Sequence, residues 1–202
     1  MCAARVGQNL NMSSLSNDCG VSVPTVKSWI SILESSFIIK LIYPYYKNFN
    51  KRLVKSPKLY FFDTGLLCRL LSIKEEGELE AHALRGNVFE NFIFLEFLKL
   101  FYNHGIQPPI YFWCEKNGNE IDLIVDQDPL ALIEIKAGKT ISSSYFANIQ
   151  HFKKSTGRSQ PSYVVYAGTG EQKRSQGQVI SWKNLKKIFE ELSLLKELDD
   201  DT

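Results

Sequence analysis

NEIDLIVDQDPLALIEIK, residues 119–136, is two apolar runs with charged residues set inside them. Their Ile, Leu and Val content predicts a pair of strands, and Asp-Gln-Asp-Pro between them predicts a turn. In the first strand Glu120, Asp122 and Ile124 share a face, opposite Ile121, Leu123 and Val125. In the second, Leu132, Glu134 and Lys136 lie together, opposite Ala131, Ile133 and Ile135. A three-residue loop at Gln127, Asp128 and Pro129 sets Ile124 across from Leu132 and Asp122 across from Glu134. Side chains so opposed stand about 4.5–5.5 Å apart at Cβ, and like charges there repel. A positive charge is expected between them. Lys136 is one candidate and a divalent metal is the other.

The flanks extend the pattern. Upstream, HALRGNVFENFIFLEFLKLF (82–101) reads as a buried helix, apolar almost all round, with Glu90 one turn after Gly86 on the same face. A lone carboxylate there needs a hydrogen-bond partner, a counter-charge or a metal, and Gly86 leaves room for a neighbour to approach. IYFWC (110–114) reads as a strand, joined to the next by a hairpin turn at Asn117-Gly118. Downstream, residues 144–154 read as a helix, 161–168 as a strand and 182–192 as a terminal helix. The expected order is helix, three strands in a meander, helix, strand, helix.

The first third is organised differently. In SSLSNDCGVSVPTVKSWISILESS (13–36), a short helix ends at Gly20, and Ser22 caps a second helix with Pro24 in its first turn. Val26, Trp29, Ile30 and Leu33 form its expected buried stripe. Thr25, Lys27, Ser28 and Ser31 lie off that stripe, where a recognition helix presents side chains to a DNA groove. FIIKLIYPYY and LYFFD then flank a basic loop, giving a long hairpin whose tip carries Lys47, Lys51, Arg52, Lys55 and Lys58. Such a tip can reach a sugar-phosphate backbone. We expect a winged helix over residues 1–75 that contacts DNA, a boundary within 73–80, and a second domain over 76–202.

Charge and composition agree. The net charge of +2 divides into eight Lys or Arg against two acids in residues 1–60, and sixteen against twenty in the rest. A basic first third suits a polyanionic partner. Cysteines 2, 19, 68 and 114 form no CxxC pair, which argues against a zinc site or a disulfide framework. Without a membrane-length apolar run or the apolar core of a signal peptide, a cytoplasmic protein is expected. Histidines 82, 104 and 151 lack metal-ligand spacing. GTGEQKRS (168–175) lacks the spacing of a Walker A loop, so no ATP site of that kind is expected.

The order of elements and the charged residues resemble the PD-(D/E)xK nuclease superfamily. Its motif maps onto Asp122, the triplet Glu134-Ile135-Lys136, and Glu90 on the preceding helix. The resemblance implies a restriction-endonuclease-like mixed sheet flanked by helices, an α/β (α+β) fold. It also implies a Mg²⁺ or Mn²⁺ ion held by Asp122, Glu134 and the Ile135 carbonyl, with help from Glu90. Lys136 would orient or activate water, and Gln150 is a weaker positioning candidate. Nearly the whole chain also resembles the C-terminal region (domain of unknown function 4143) of prokaryotic AAA-type ATP-binding proteins. The residues that carry this are Thr25 to Glu34, KSPKLYFFDTGL (55–66), Arg85-Gly-Asn-Val-Phe-Glu90, Glu120-Ile-Asp122 and Glu134-Ile-Lys136. The ATPase part of those proteins has no counterpart in this chain, so a truncated form or a shortened gene is expected.

Three functions follow from these readings. The first is a metal-dependent DNA nuclease targeted by its winged helix. The second is a catalytically silent DNA-binding module. The third is a regulatory or assembly domain that contacts an AAA-type ATPase or a second copy of itself. A surface ion-pair cluster is the plain alternative reading of Asp122, Glu134 and Lys136.

Overall fold

A computed structural model describes residues 1–45, 54–157 and 159–192. The chain divides into two compact units. One comprises Met1–Pro44 and Val54–Phe92, and the other comprises Tyr45 and the residues from Ile93 onward.

In the first unit the local signals act as expected. Helix α1 (Met12–Cys19) starts where Asn11 accepts a hydrogen bond from the Ser14 N–H, and ends at Gly20 in the left-handed region, φ 66°. Helix α2 (Val23–Ser35) starts where Ser22 accepts from the Thr25 N–H. Strands β1 (Ile39–Ile42) and β2 (Lys58–Phe61) pair antiparallel, from Ile39 opposite Phe61 to Ile42 opposite Lys58. Helices α3 (Thr64–Leu70), capped by Asp63, and α4 (Glu76–Ala81) follow. A core of Leu15, Val26, Ile30, Ile39, Leu59, Phe61 and Leu67 is completed by Val6 and Leu10 from the first residues of the chain. That segment lies along β2, with the Gly7 N–H donating to Leu59 O and the Leu10 N–H to Pro57 O.

Two expectations fail in this unit. Trp29 is 47% exposed rather than buried. It lies about 60° round the helix from Val26, at the margin of the stripe, where part of a large ring stays outside. Lys58 is no tip residue either. It opens β2 and is 1% exposed.

The second unit is built on a six-stranded mixed sheet, in the order β3-β4-β5-β6-β8-β7. Strands β3 (Ile110–Cys114), β4 (Glu120–Val125) and β5 (Ala131–Lys136) form the expected antiparallel meander. Helix α6 (Ala147–Thr156) then carries the chain to β6 (Ser162–Tyr166), parallel to β5. A crossover of this length is what a parallel pair requires. Strands β7 (Gln172–Arg174) and β8 (Gly177–Ser181) form a hairpin that the sequence reading lacked, with β8 parallel to β6. Helix α7 (Lys186–Glu191) closes the unit, its Phe189 ring 5.4 Å from Phe97 and 4.8 Å from Phe101. These two belong to helix α5 (Arg85–Asn103), whose first turns belong to the other unit. Trp113, Ile121, Ile124, Leu132, Ile149, Phe152 and Val164 form a core between sheet and α6. Among the described residues no helix is long and apolar enough to cross a membrane.

Candidate active site

The β4–β5 register is the one the turn predicts, with Ile124 opposite Leu132. The ladder stops at Leu123 opposite Ile133, and beyond it Asp122 Oδ2 accepts the Ile135 N–H at 2.7 Å. A carboxylate has taken the place of a backbone acceptor, which fixes its direction. The cause lies on the other side of β4. Between the Tyr111–Ile124 and Trp113–Ile121 pairs β3 advances two residues and β4 three, so β4 carries an extra residue. Such a bulge breaks strict alternation and re-aims side chains. Ile121 therefore packs in the same core as Ile124 and Leu132, instead of on the opposite face as expected.

Asp122, Glu134 and Lys136 converge. The Lys136 Nζ donates to Glu134 Oε2 at 2.7 Å and stands 3.8 Å from Asp122 Oδ2. Glu134 is 1% exposed, and its Oε1 is buried without a hydrogen-bond partner among the described residues. Burial pushes the Glu134 carboxyl well above the ordinary carboxylate range, and the charge of Asp122 adds to the rise. Lys136 and the Asn148 amide of α6 pull the other way without cancelling it. Asn148 lies close to the carboxyl but makes no bond of hydrogen-bond geometry to Oε1. Glu120, one more carboxylate on β4, brings an oxygen within 4.8 Å of one on Asp122. This arrangement is a set of hard oxygen donors with one cation, suited to a small divalent ion.

The raised Glu134 pKa has a definite sign for stability. A carboxyl harder to ionise in the folded state binds protons more tightly there, so stability declines as pH rises from the unfolded value through the folded one. Glu134→Gln removes that decline. The free energy of unfolding of the variant relative to the unsubstituted protein should climb between pH 4 and pH 8 in metal-free buffer, by at most about 1.4 kcal/mol per pH unit, as read by urea unfolding. A difference that stays constant with pH would show that Glu134 titrates normally.

Glu90 lies in the first unit and has its own partners. Its Oε1 accepts from Lys58 Nζ at 2.9 Å and from the Tyr60 hydroxyl at 2.6 Å. Lys58 and Tyr60 are two residues apart on β2, a period-2 signal that the basic surroundings of Lys58 concealed. The close glycine is not Gly86, whose Cβ position has no atom within 4 Å, but Gly7, where a Cβ would stand 3.4 Å from Glu90 Oε2.

The candidate DNA-contacting residues divide. Lys27 and Ser28 are exposed on α2, and Lys55 is exposed before β2. Thr25 is half-buried, and its hydroxyl bonds with that of Ser22 at 2.8 Å. Lys47, Lys51 and Arg52 lie outside the described residues. The histidine reading missed one contact. His151 Nε2 stands 3.1 Å from Glu115 Oε2, and Asn119 Nδ2 reaches both.

Sheet, helices and carboxylates together define an α/β protein with a candidate cation site. Residues 85–185, half of the chain, match the family described as Domain of unknown function (DUF4143), and the chain belongs to that family. Residues 1–77 match the family described as Domain of unknown function (DUF8612). Uncharacterized proteins of Mycobacterium bovis and Mycobacterium tuberculosis are each 31% identical to it over 121 residues, 59% of this chain. The match covers only 26% of each of those proteins, so the chain spans about a quarter of the length of these relatives. No solved structure matches the chain.

Proposed function

We propose that the protein hydrolyses phosphodiester bonds in DNA with a divalent metal, and that its first unit is a winged helix that holds the DNA. The observation that carries this reading is Glu134. It is buried beside Asp122 and Lys136, with one oxygen unpartnered and its ionised form disfavoured. An orphaned buried acceptor calls for an explanation, and a bound ion is one of the recognised ones. The helix, three-strand meander, helix and strand from α5 to β6 support the PD-(D/E)xK reading, with the β7–β8 hairpin added before the last helix.

Asp122 and Glu134 would hold Mg²⁺ or Mn²⁺, and Glu120 offers a further oxygen. A metal held there lowers the pKa of a water molecule and offsets charge on the phosphorus. The remaining tasks belong to the chain. The Ile135 N–H keeps the Asp122 carboxylate pointed at the site. Lys136, with its side chain 31% exposed, can reach a water or a phosphoryl oxygen while its charge balances the two carboxylates. In the first unit, the exposed Lys27, Ser28 and Lys55 are available to phosphates. The site as proposed rests on the second unit alone.

Metal-dependent stability tests this. Binding to the native state alone stabilises by mass action, about 2.7 kcal/mol at a hundredfold excess over the dissociation constant. Millimolar Mn²⁺ should therefore raise the melting temperature, and Asp122→Ala should abolish the rise. Melting that ignores Mn²⁺ in the unsubstituted protein would leave a purely structural, buried ion-pair cluster as the better account.

A second reading has its own support. Trp29 and Ile32, three residues apart on α2, are 47% and 57% exposed and so share one helix face, and Phe37 just beyond its end is 73% exposed. Apolar side chains gathered at a surface mark interaction sites. They favour a regulatory or assembly role, with contacts to an AAA-type ATPase or to a second copy of the chain.

A further inference from the structure

Beside the start of β6, under the β7–β8 hairpin, lies a cavity of about 470 Å³. That is within the range of small-ligand pockets, roughly 300–1,000 Å³. Its charged lining is Lys153, Lys173 and Arg174 against a single carboxylate, Glu191. Glu191 is already satisfied, accepting from the Tyr163 hydroxyl at 3.0 Å and the Gln178 amide at 2.5 Å. The cations are not. Lys153 donates to Gln176 O and Arg174 to Gln172 Oε1, both neutral acceptors, and none of the three has an ion pair among the described residues. Lys153 is half-buried, and burial pushes its pKa down, as expected of a cation short of counter-charge.

A second observation points to a ligand. Gln160 lines the same cavity, is 8% exposed, and its Oε1 is buried with no hydrogen-bond partner among the described residues. The wall is also closely built. Gly177 takes φ +153°, and a Cβ there would come within 2.3 Å of Ser162 O, so only glycine lets the hairpin lie against β6. The ligand must therefore bring an anionic group for the three cations and a hydrogen-bond donor for Gln160.

We propose that this cavity binds the phosphate and base of a nucleotide, either free or at the end of a nucleic-acid strand. The phosphate pairs with Lys153, Lys173 and Arg174, and an amino group on the base donates to Gln160. The Lys-Arg-Ser of GTGEQKRS thus lines a phosphate site without the geometry of a Walker loop. The cavity is separate from the candidate active site. Ser162 pairs with Leu132, Val164 with Glu134 and Tyr166 with Lys136, so along the parallel strands the site residues lie two to four residues, roughly 7–13 Å, from the cavity. The proposal does not depend on phosphodiester cleavage.

Calorimetric titration of the purified chain in EDTA and low salt tests it, with dAMP, inorganic phosphate and a 5′-phosphorylated single-stranded oligonucleotide as probes. Saturable binding of dAMP, tighter than that of phosphate, is expected. Lys173→Ala with Arg174→Ala should weaken it about tenfold or more, since charge-assisted bonds are lost. Gln160→Leu should reduce the preference for dAMP over phosphate. Oligonucleotide binding tighter than that of dAMP, and lost in the double variant, would assign the phosphate to a strand end, and tighter binding of dAMP would assign it to a free nucleotide. Should the double variant fold poorly by circular dichroism, the exposed Lys173→Ala carries the same test. The proposal is overturned if no probe binds at millimolar concentration, or if binding survives loss of both cations unchanged.

Discussion

Lys58→Met lowers the free energy of unfolding by about 3–5 kcal/mol, the cost of removing one partner from a buried ion pair. The Lys58 side chain is 2% exposed and that of Glu90 13%, so water replaces little of what is lost. Methionine keeps the volume and the packing of the stem, so the loss is electrostatic rather than a cavity. Glu90 retains the Tyr60 hydroxyl, but a neutral donor is a weaker partner than a cation. Adding Glu90→Gln should restore most of the stability, because a neutral pair carries a much smaller desolvation penalty. Urea unfolding of the two single variants and the double variant measures the coupling. If Lys58→Met unfolds at the same urea concentration as the unsubstituted protein, β2 does not depend on this pair.

The same pair marks where sequence reasoning succeeds and where it stops. The β4–β5 register is legible because a period of two residues and a short turn leave one choice that buries Ile124 against Leu132. Helices α1 and α2 are legible from the Gly20 and Ser22 signals, each of which acts locally, whereas the Asn11 cap of α1 emerges only in the structure. Lys58 is not, because four cations before it suggest a solvated loop and its partner lies 32 residues away. The β4 bulge is hidden because Ile121, Leu123 and Ile124 are all apolar, and a one-residue shift leaves the pattern unchanged to the eye. The β7–β8 hairpin is hidden because its first strand, Gln-Lys-Arg, buries almost nothing, and a polar edge strand looks like a loop. The Asp122, Glu134 and Lys136 set was legible as a cluster. The unpartnered Glu134 oxygen was not, since it depends on the packing that surrounds the carboxyl.

Asp122→Asn, Glu134→Gln and Lys136→Met should each reduce Mn²⁺-dependent cleavage of DNA by about 10²–10⁴-fold, the range for removing a positioned acid–base or electrostatic group. The Asp122 substitution is the most informative. An asparagine oxygen still accepts the Ile135 N–H, so the strand junction survives and only the negative charge disappears. Folding should be intact while metal binding and cleavage are lost. Glu134→Gln separates the roles in another way, because it removes an unfavourable buried charge and so should stabilise the metal-free fold at neutral pH while abolishing turnover. Residues that act as a unit are strongly non-additive, so Asp122→Asn combined with Lys136→Met should cost little more than the worse of the two alone. A purely structural ion-pair cluster predicts otherwise. The substitutions would then change stability alone, since Glu134 and Asp122 are buried, and none would affect cleavage. Cleavage of duplex and single-stranded DNA by the purified chain in Mn²⁺, measured beside these variants, decides the matter, and activity that persists in Asp122→Asn would assign it to a contaminating nuclease.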